Sequence, residues 1–147
     1  MIEKKTSVGH GIKMKNSSWS FNRIGSKFQD HVESSVPFYN DGHEIILDLS
    51  DFFLQNNTTC IDIGCSTGLL LKKIHKRHSN KKIKYIGIDS TNSMIKEAKK
   101  NKTKIKFYNK DILTYKIPNN DLTISYYTAQ FIKPRDRQEY FKKIYKS

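Results

Sequence analysis

Cysteine, arginine and long apolar runs are all scarce in this 147-residue chain, and each scarcity closes a class of function. The two cysteines, Cys60 and Cys65, lie five residues apart, too few and too local for a disulfide framework, so a reducing, cytoplasmic setting is expected. They also lack the companions of a metal or redox centre: no C-x-x-C is present, and His75 and His78 stand at i, i+3 without further ligands beside them. No metal is expected. Apolar residues make up 36% of the chain, and no run approaches the ~20 needed to span a bilayer, so no membrane partner is expected. Glu3, Lys4 and Lys5 are followed by no apolar segment, so the N-terminus does not read as a secretory signal. Arginine supplies four of the 27 basic residues (Arg23, Arg77, Arg135 and Arg137), a thin supply for bidentate nucleic-acid reading.

What the chain does have is lysine. The formal net charge is +13, and the lysines are spread along the flanks of helices and strands among many asparagines. A solvated basic surface is the simplest reading; a surface for RNA or another polyanion is the alternative. The length allows one domain with a real core. Residues 1–18 mix Lys, Ser, Gly and Asn without an apolar period and read as a flexible basic arm, leaving 19–147 as a single domain.

From Trp19 onward, Phe21, Ile24, Phe28 and Val32 recur at helical spacing and predict a helix over 22–34. Pro37 is placed to open a second helix running to about Leu54, with Phe38, Ile45, Ile46, Leu49, Phe52 and Phe53 as its inward face. Four short β-prone runs follow, at 59–63, 84–88, 105–108 and 122–127, alternating with helices predicted over 68–78, from Ser90 or Asn92 to 100, and over 134–146. This predicts an α/β fold: a Rossmann-like, doubly wound parallel sheet of about four strands in the order 3-2-1-4, incomplete, with two N-terminal capping helices. The edge beside the fourth strand is expected to be open, as in a domain truncated at its C-terminus, so that another copy or a complementing chain would pair there.

The chemistry centres on the first strand and the turn after it, Asp62-Ile63-Gly64-Cys65-Ser66-Thr67-Gly68. Ser66 stands where a dinucleotide-binding loop has its middle glycine, the one that lets backbone approach a pyrophosphate. A carboxylate two residues before the turn suits an ammonium or hydroxyl better than a phosphate. The ligand predicted is therefore a nucleoside joined to an amino acid: S-adenosyl-L-methionine, leaving as S-adenosyl-L-homocysteine. Asp89 closes the second strand 25 positions after Gly64, near the offset of a ribose-binding acid. Asp111, just past the third strand, is placed to accept an adenine amine, with the Ile112 N–H completing the base edge. Tyr39 and Tyr126 bring aromatic faces that attract a sulfonium. Ser90 and Met94 follow Asp89 on the same rim. No residue stands out as an obligatory general base, so no catalytic residue is predicted.

The set Asp62-Ile63-Gly64-Cys65-Ser66-Thr67-Gly68, Gly87-Ile88-Asp89 and Asp111-Ile112 resembles class I S-adenosylmethionine-dependent methyltransferases. With Ser35-Val36-Pro37-Phe38-Tyr39, Asp89-Ser90-x-x-Ser93-Met94-Ile95 and Thr128-Ala129-Gln130-Phe131-Ile132 it is similar to the carboxy-S-adenosyl-L-methionine synthase group, over roughly residues 20–147. The resemblance implies cofactor contacts by Tyr39, Gly64, Cys65, Ser66, Asp89, Ser90, Asp111 and Ile112. It also implies two departures. Tyr126 stands where the synthase has asparagine, and the synthase's carboxylate-gripping arginine has no counterpart in this chain. The expectation is thus a methyltransferase using ordinary S-adenosylmethionine on a small-molecule acceptor. The alternatives are a synthase-like enzyme of tRNA wobble-uridine modification, and a non-catalytic basic module that binds RNA or a partner chain.

Overall fold

The computed structural model describes residues 7–8, 12–15, 18–20, 28–100 and 103–147. In chain order the elements are β1 Ser7–Val8, β2 Ile12–Lys15, β3 Ser18–Ser20, α1 Phe28–Ser35, α2 Tyr39–Phe53, β4 Thr59–Ile63, α3 Leu69–Arg77, β5 Lys84–Asp89, α4 Asn92–Ala98, β6 Lys106–Asn109, β7 Leu122–Ile124 and α5 Arg137–Tyr145. Four of the strands make one parallel sheet in the order β6-β5-β4-β7. This is the 3-2-1-4 order predicted, with helical crossovers between β4, β5 and β6.

The central strands β4 and β5 are buried on both faces, which is why they read as near-continuous apolar runs instead of alternating ones. Cys60 and Tyr85 pack on one side with Leu71 and Ile74 of α3, Ile95 and Ala98 of α4, and Leu47 of α2. Ile61, Ile63, Ile86 and Ile88 pack on the other with Ile112, Ile117 and Tyr140 of α5. The Tyr140 phenol, wholly buried, is hydrogen-bonded to Ser125. Strands thus end, and α3 and α4 begin, at one end of the sheet; strand starts and helix ends gather at the other. Among the described residues no helix is long and apolar enough to cross a membrane.

Two expectations need correction, and a third lies partly outside the described residues. The stretch 1–18 is not wholly an arm: β1, β2 and β3 form a small antiparallel sheet, Val8 opposite Ile12 and Met14 opposite Trp19. Its sequence signal is period-two alternation (Ile12-Lys13-Met14-Lys15, Ser18-Trp19-Ser20) over runs too short to stand out. The beginning predicted at 22 for the first helix lies outside the described residues; α1 starts at Phe28. Pro37 does not open α2 but sits in the turn before it, where Phe38 takes a left-handed conformation at φ 58°.

The inward face of α2 is also different from the one predicted. Phe38, Ile45, Leu49, Phe52 and Phe53 are exposed, and of that predicted face only Ile46 is packed against the core. The buried positions are His43, Leu47 and Ser50. The physical reason lies on α3: the Ser50 hydroxyl is 2.8 Å from His78 Nε2, and Arg77 grips Asp48 (3.0 Å) and Asp51 (2.9 Å from Nε). These polar contacts, with Lys73 to Glu44 at 3.4 Å, fix the helix rotation with its polar seam against α3 and an apolar stripe outward. Helix α4 has Thr91 as its N-cap residue, not Ser90 or Asn92, and makes no side-chain cap bond.

Candidate functional site

The turn between β4 and α3 is held from three sides. Gly64 and Cys65 donate backbone N–H bonds to the Ile88 carbonyl of β5, at 2.8 and 3.0 Å. Gly64 is left-handed at φ 73°, and a Cβ there would meet the Thr128 side chain 2.2 Å away. Thr128 is itself fixed, donating its hydroxyl to the Ile63 carbonyl at 2.9 Å. Gly68 repeats the device at the mouth of α3: at φ 74°, with a Cβ lying 2.6 Å from the Phe107 ring. Both glycines therefore answer to backbone conformation and close approach together. Ser66, also left-handed at φ 52°, donates its N–H to Asp89 at 2.9 Å and its hydroxyl to Met94 sulfur at 3.4 Å.

Asp89 ends β5 and ties the loop to the next helix. One carboxylate oxygen accepts the Ser66 N–H and the other accepts the Thr91 N–H at 2.7 Å. Burial raises its pKa, and those two backbone bonds oppose the rise. Asp62 is more extreme. It is 3% exposed, accepts no hydrogen bond from the described residues, and has its pKa pushed up to about 7, first by burial and then by the Asp89 charge. A buried carboxyl without donors is costly in its ionised form, so the site favours a cation or a proton beside it.

Above Asp62 lies a cluster of rings. Tyr39, the first residue of α2, has its phenol pKa pushed up to about 12 by burial and by Asp62. Its ring centroid is 4.5 Å from His43, 5.8 Å from Tyr126 and 6.4 Å from Tyr127. Tyr126, two residues past β7, donates its hydroxyl to the Tyr39 carbonyl at 3.2 Å and so clamps the start of α2 over the sheet. Cys65 is buried and its thiol is pushed well up by desolvation, which leaves it a small packing residue and no nucleophile.

Asp111 and Ile112 follow β6. Asp111 is exposed and accepts the Leu113 N–H at 2.9 Å; Ile112 is buried against Ile88. Lys110 N–H, donating to the Asp89 carbonyl at 3.0 Å, keeps this segment beside the end of β5. Ser90 is exposed next to Asp89, and Met94 is buried behind Ser66. Tyr39, Asp62, Gly64, Cys65, Ser66, Gly68, Asp89, Met94 and Tyr126 thus gather around the ends of β4 and β5, with Asp111 and Ile112 at the flank.

Two residues were not reached from the sequence as site residues. Thr128, quoted only within a motif, seats the Gly64 turn. His43, i+4 from Tyr39, is 1% exposed with Nδ1 unpartnered among the described residues, and burial lowers its pKa to about 4, so it is neutral at neutral pH. Its i, i+4 spacing from an aromatic was the available signal. Among the described residues no group of three His, Cys, Asp or Glu side chains is arranged to hold a metal ion.

Residues 60–147, the half of the chain that carries this loop and these acids, match the family described as a methyltransferase domain. The chain belongs to that family. Among curated proteins it is similar to carboxy-S-adenosyl-L-methionine synthase of Nautilia profundicola, 38% identical over 129 residues, covering 84% of this chain and 54% of that protein. The synthase of Staphylococcus epidermidis is likewise 38% identical, over 86% of this chain and 57% of that protein. The chain therefore spans about half the length of the curated relatives it matches. Among solved structures, the fold resembles a plantazolicin methyltransferase in complex with SAH (TM-score 0.63, 20% identity, 79% of this chain and 45% of that one). It also resembles magnesium protoporphyrin IX methyltransferase from Synechocystis with bound SAM (TM-score 0.58, 15% identity, 71% of this chain and 51% of that one). At these identities the likeness is one of fold, and it agrees with the Rossmann-like sheet of this methyltransferase domain.

Proposed function

We propose that this methyltransferase domain binds S-adenosyl-L-methionine across the ends of β4, β5 and β6, as the cofactor-binding part of an enzyme that methylates a small molecule. The observation that carries the reading is the pairing of a side-chain-free turn at Gly64, braced by Thr128, with a buried and unpaired Asp62 carboxylate. The residues suit the cofactor's chemistry. Asp62 would hold the ammonium, Asp89 the ribose hydroxyls, and the Gly64-Cys65-Ser66 backbone the methionine portion. Asp111 and Ile112 would meet the adenine edge. Ser90 would line the rim, with Met94 supporting Ser66 from behind, and Tyr39 and Tyr126 would turn aromatic faces toward the sulfonium, worth ~0.5–2 kcal/mol. When bound, the cofactor supplies an electrophilic methyl group on a positive sulfur. The protein's own contribution is alignment and exclusion of water, with His43 neutral behind the ring cluster.

Calorimetry with S-adenosyl-L-methionine and S-adenosyl-L-homocysteine tests this: micromolar binding of either supports it, and binding of neither overturns it. A second reading is favoured by the curated relatives, which are named as synthases of carboxy-S-adenosyl-L-methionine. Mass spectrometry of the copurified cofactor separates the two, since the carboxylated form would be heavier by one carboxyl group. A cytoplasmic location and pairing of another strand at the edge of β7 belong to the same proposal.

A further inference from the structure

At the opposite end of the sheet, where strands start and helices stop, lies a concavity of about 580 Å³ between the end of α3 and the start of β5. Lys82, Lys84 and Lys104 line it, and none of them has a carboxylate partner among the described residues. Other cations nearby are already engaged: Arg77 by Asp48 and Asp51, Lys81 by the Leu54 carbonyl at 2.7 Å. Among the described residues no acid lines the cavity. At the end of α3 the Ile74, Lys76 and His78 carbonyls accept the backbone N–H groups of His78, Ser79 and Lys81.

The second observation is Tyr85. Its ring packs in the core, edge-on to His75 at 5.1 Å, and the residue is 3% exposed. Tyr85 is among the residues that line this cavity, and its hydroxyl is buried beneath the lining without a hydrogen-bond partner among the described residues. Phenylalanine would pack the core equally well, so the hydroxyl is a donor in want of an acceptor. Desolvation raises its pKa to about 12, which keeps the proton on it.

We propose that this basal cavity is a phosphate-binding site, in which the Tyr85 hydroxyl donates to a phosphate oxygen and Lys82, Lys84 and Lys104 balance its charge. Lysine, a compact point charge on a flexible stem, suits a phosphate that arrives in varied orientations. A second basic hollow of about 330 Å³ is lined by Lys116, Lys142, Lys143 and Lys146 together with Glu139. A free phosphorylated metabolite would fill the first cavity alone; an RNA backbone would run from one to the other. The shared chemistry is the phosphate group.

Inorganic pyrophosphate and a single-stranded RNA 12-mer, both free of interference from the cofactor end, are the probes. Titration calorimetry of pyrophosphate, and RNA binding followed by anisotropy at 50 and 200 mM salt, are compared for wild type, Tyr85→Phe and Lys82→Gln/Lys84→Gln/Lys104→Gln. The triple variant is expected to weaken pyrophosphate at least tenfold. Tyr85→Phe is expected to weaken it about threefold or more while raising the melting temperature of the free protein, because an orphaned hydroxyl is removed. Lys142→Gln/Lys146→Gln should leave pyrophosphate unchanged; a loss on RNA alone would assign the source to RNA. No pyrophosphate binding at millimolar concentration, or equal binding by wild type and the triple variant, overturns the proposal. A lower melting temperature with unchanged affinity in Tyr85→Phe removes the hydroxyl from it. Cofactor calorimetry on the same variants keeps this outcome separate from that of the methyltransferase reading.

Discussion

Replacing Asp62 by asparagine should stabilise the free protein and cripple its ligand site in one stroke. The Asp62 pKa rises from 3.8 to about 7 on folding. At about 1.4 kcal/mol per unit, keeping the ionised carboxylate buried costs on the order of 4 kcal/mol above pH 7. The sign follows from proton counting. Between about pH 4 and 7 the folded state holds a proton that the unfolded state has lost, so this residue's contribution falls as pH rises through that window. His43 works the other way: its pKa drops from 6.5 to about 4, and stability is lost as pH falls through that interval. The wild-type curve therefore mixes both, and the difference between wild type and Asp62→Asn isolates the carboxyl. Urea unfolding across pH 4 to 8 should show the two proteins equal near pH 4 and the variant more stable by roughly 2–4 kcal/mol at pH 8. Binding of a cationic ligand would drive the proton off, so calorimetry at pH 6 in buffers of different ionisation enthalpy should report release of most of one proton in wild type and none in the variant. A variant less stable than wild type at pH 8, or a flat difference curve, would refute the reasoning.

Gly64→Ala should cost about 2–4 kcal/mol in urea unfolding, from left-handed strain plus displacement of the bonded Thr128 hydroxyl; adding Thr128→Ala should recover only part, since the strain remains. Asp89→Ala frees the Ser66 and Thr91 N–H groups at once and should weaken S-adenosyl-L-homocysteine at least tenfold by calorimetry, as much as the methylated cofactor, because the ribose end is the same in both. Leu71→Ala, at a wholly buried position, should cost about 2–5 kcal/mol, whereas Phe52→Ser, 79% exposed, should change stability by less than about 0.5 kcal/mol in the same assay.

The sheet could be read from the chain because each of its strands is announced locally: Thr59–Ile63 is β-branched and apolar and stops at an acid-and-glycine turn, and Lys84–Asp89 does likewise. The acids could be read because strand ends put them on one rim whatever the packing. The rotation of α2 could not. Apolar residues occur on both of its sides, and the choice between them is made by His78, 28 residues away from Ser50, and by the Arg77 fork. Tyr39 and Tyr126 were legible as aromatic site residues, but the bond that joins them was not, for the same reason: Tyr126 reaches the Tyr39 carbonyl across 87 residues. What a single window of sequence holds was legible, and what two distant windows decide together was not.

The placement of charge along the sheet axis bears on how fast a ligand arrives. Glu33, Asp41, Asp62 and Asp89 face the ring cluster and raise its phenols or one another, while unpaired lysines crowd the far pole. A cation approaching from a distance meets the whole +13 charge and is turned away; only within about a Debye length (~10 Å at 0.1 M salt) does it feel the acids. Added salt trims the distant repulsion more than the near attraction. For this molecule the capture rate of a positive ligand should rise with moderate ionic strength, the reverse of ordinary electrostatic steering.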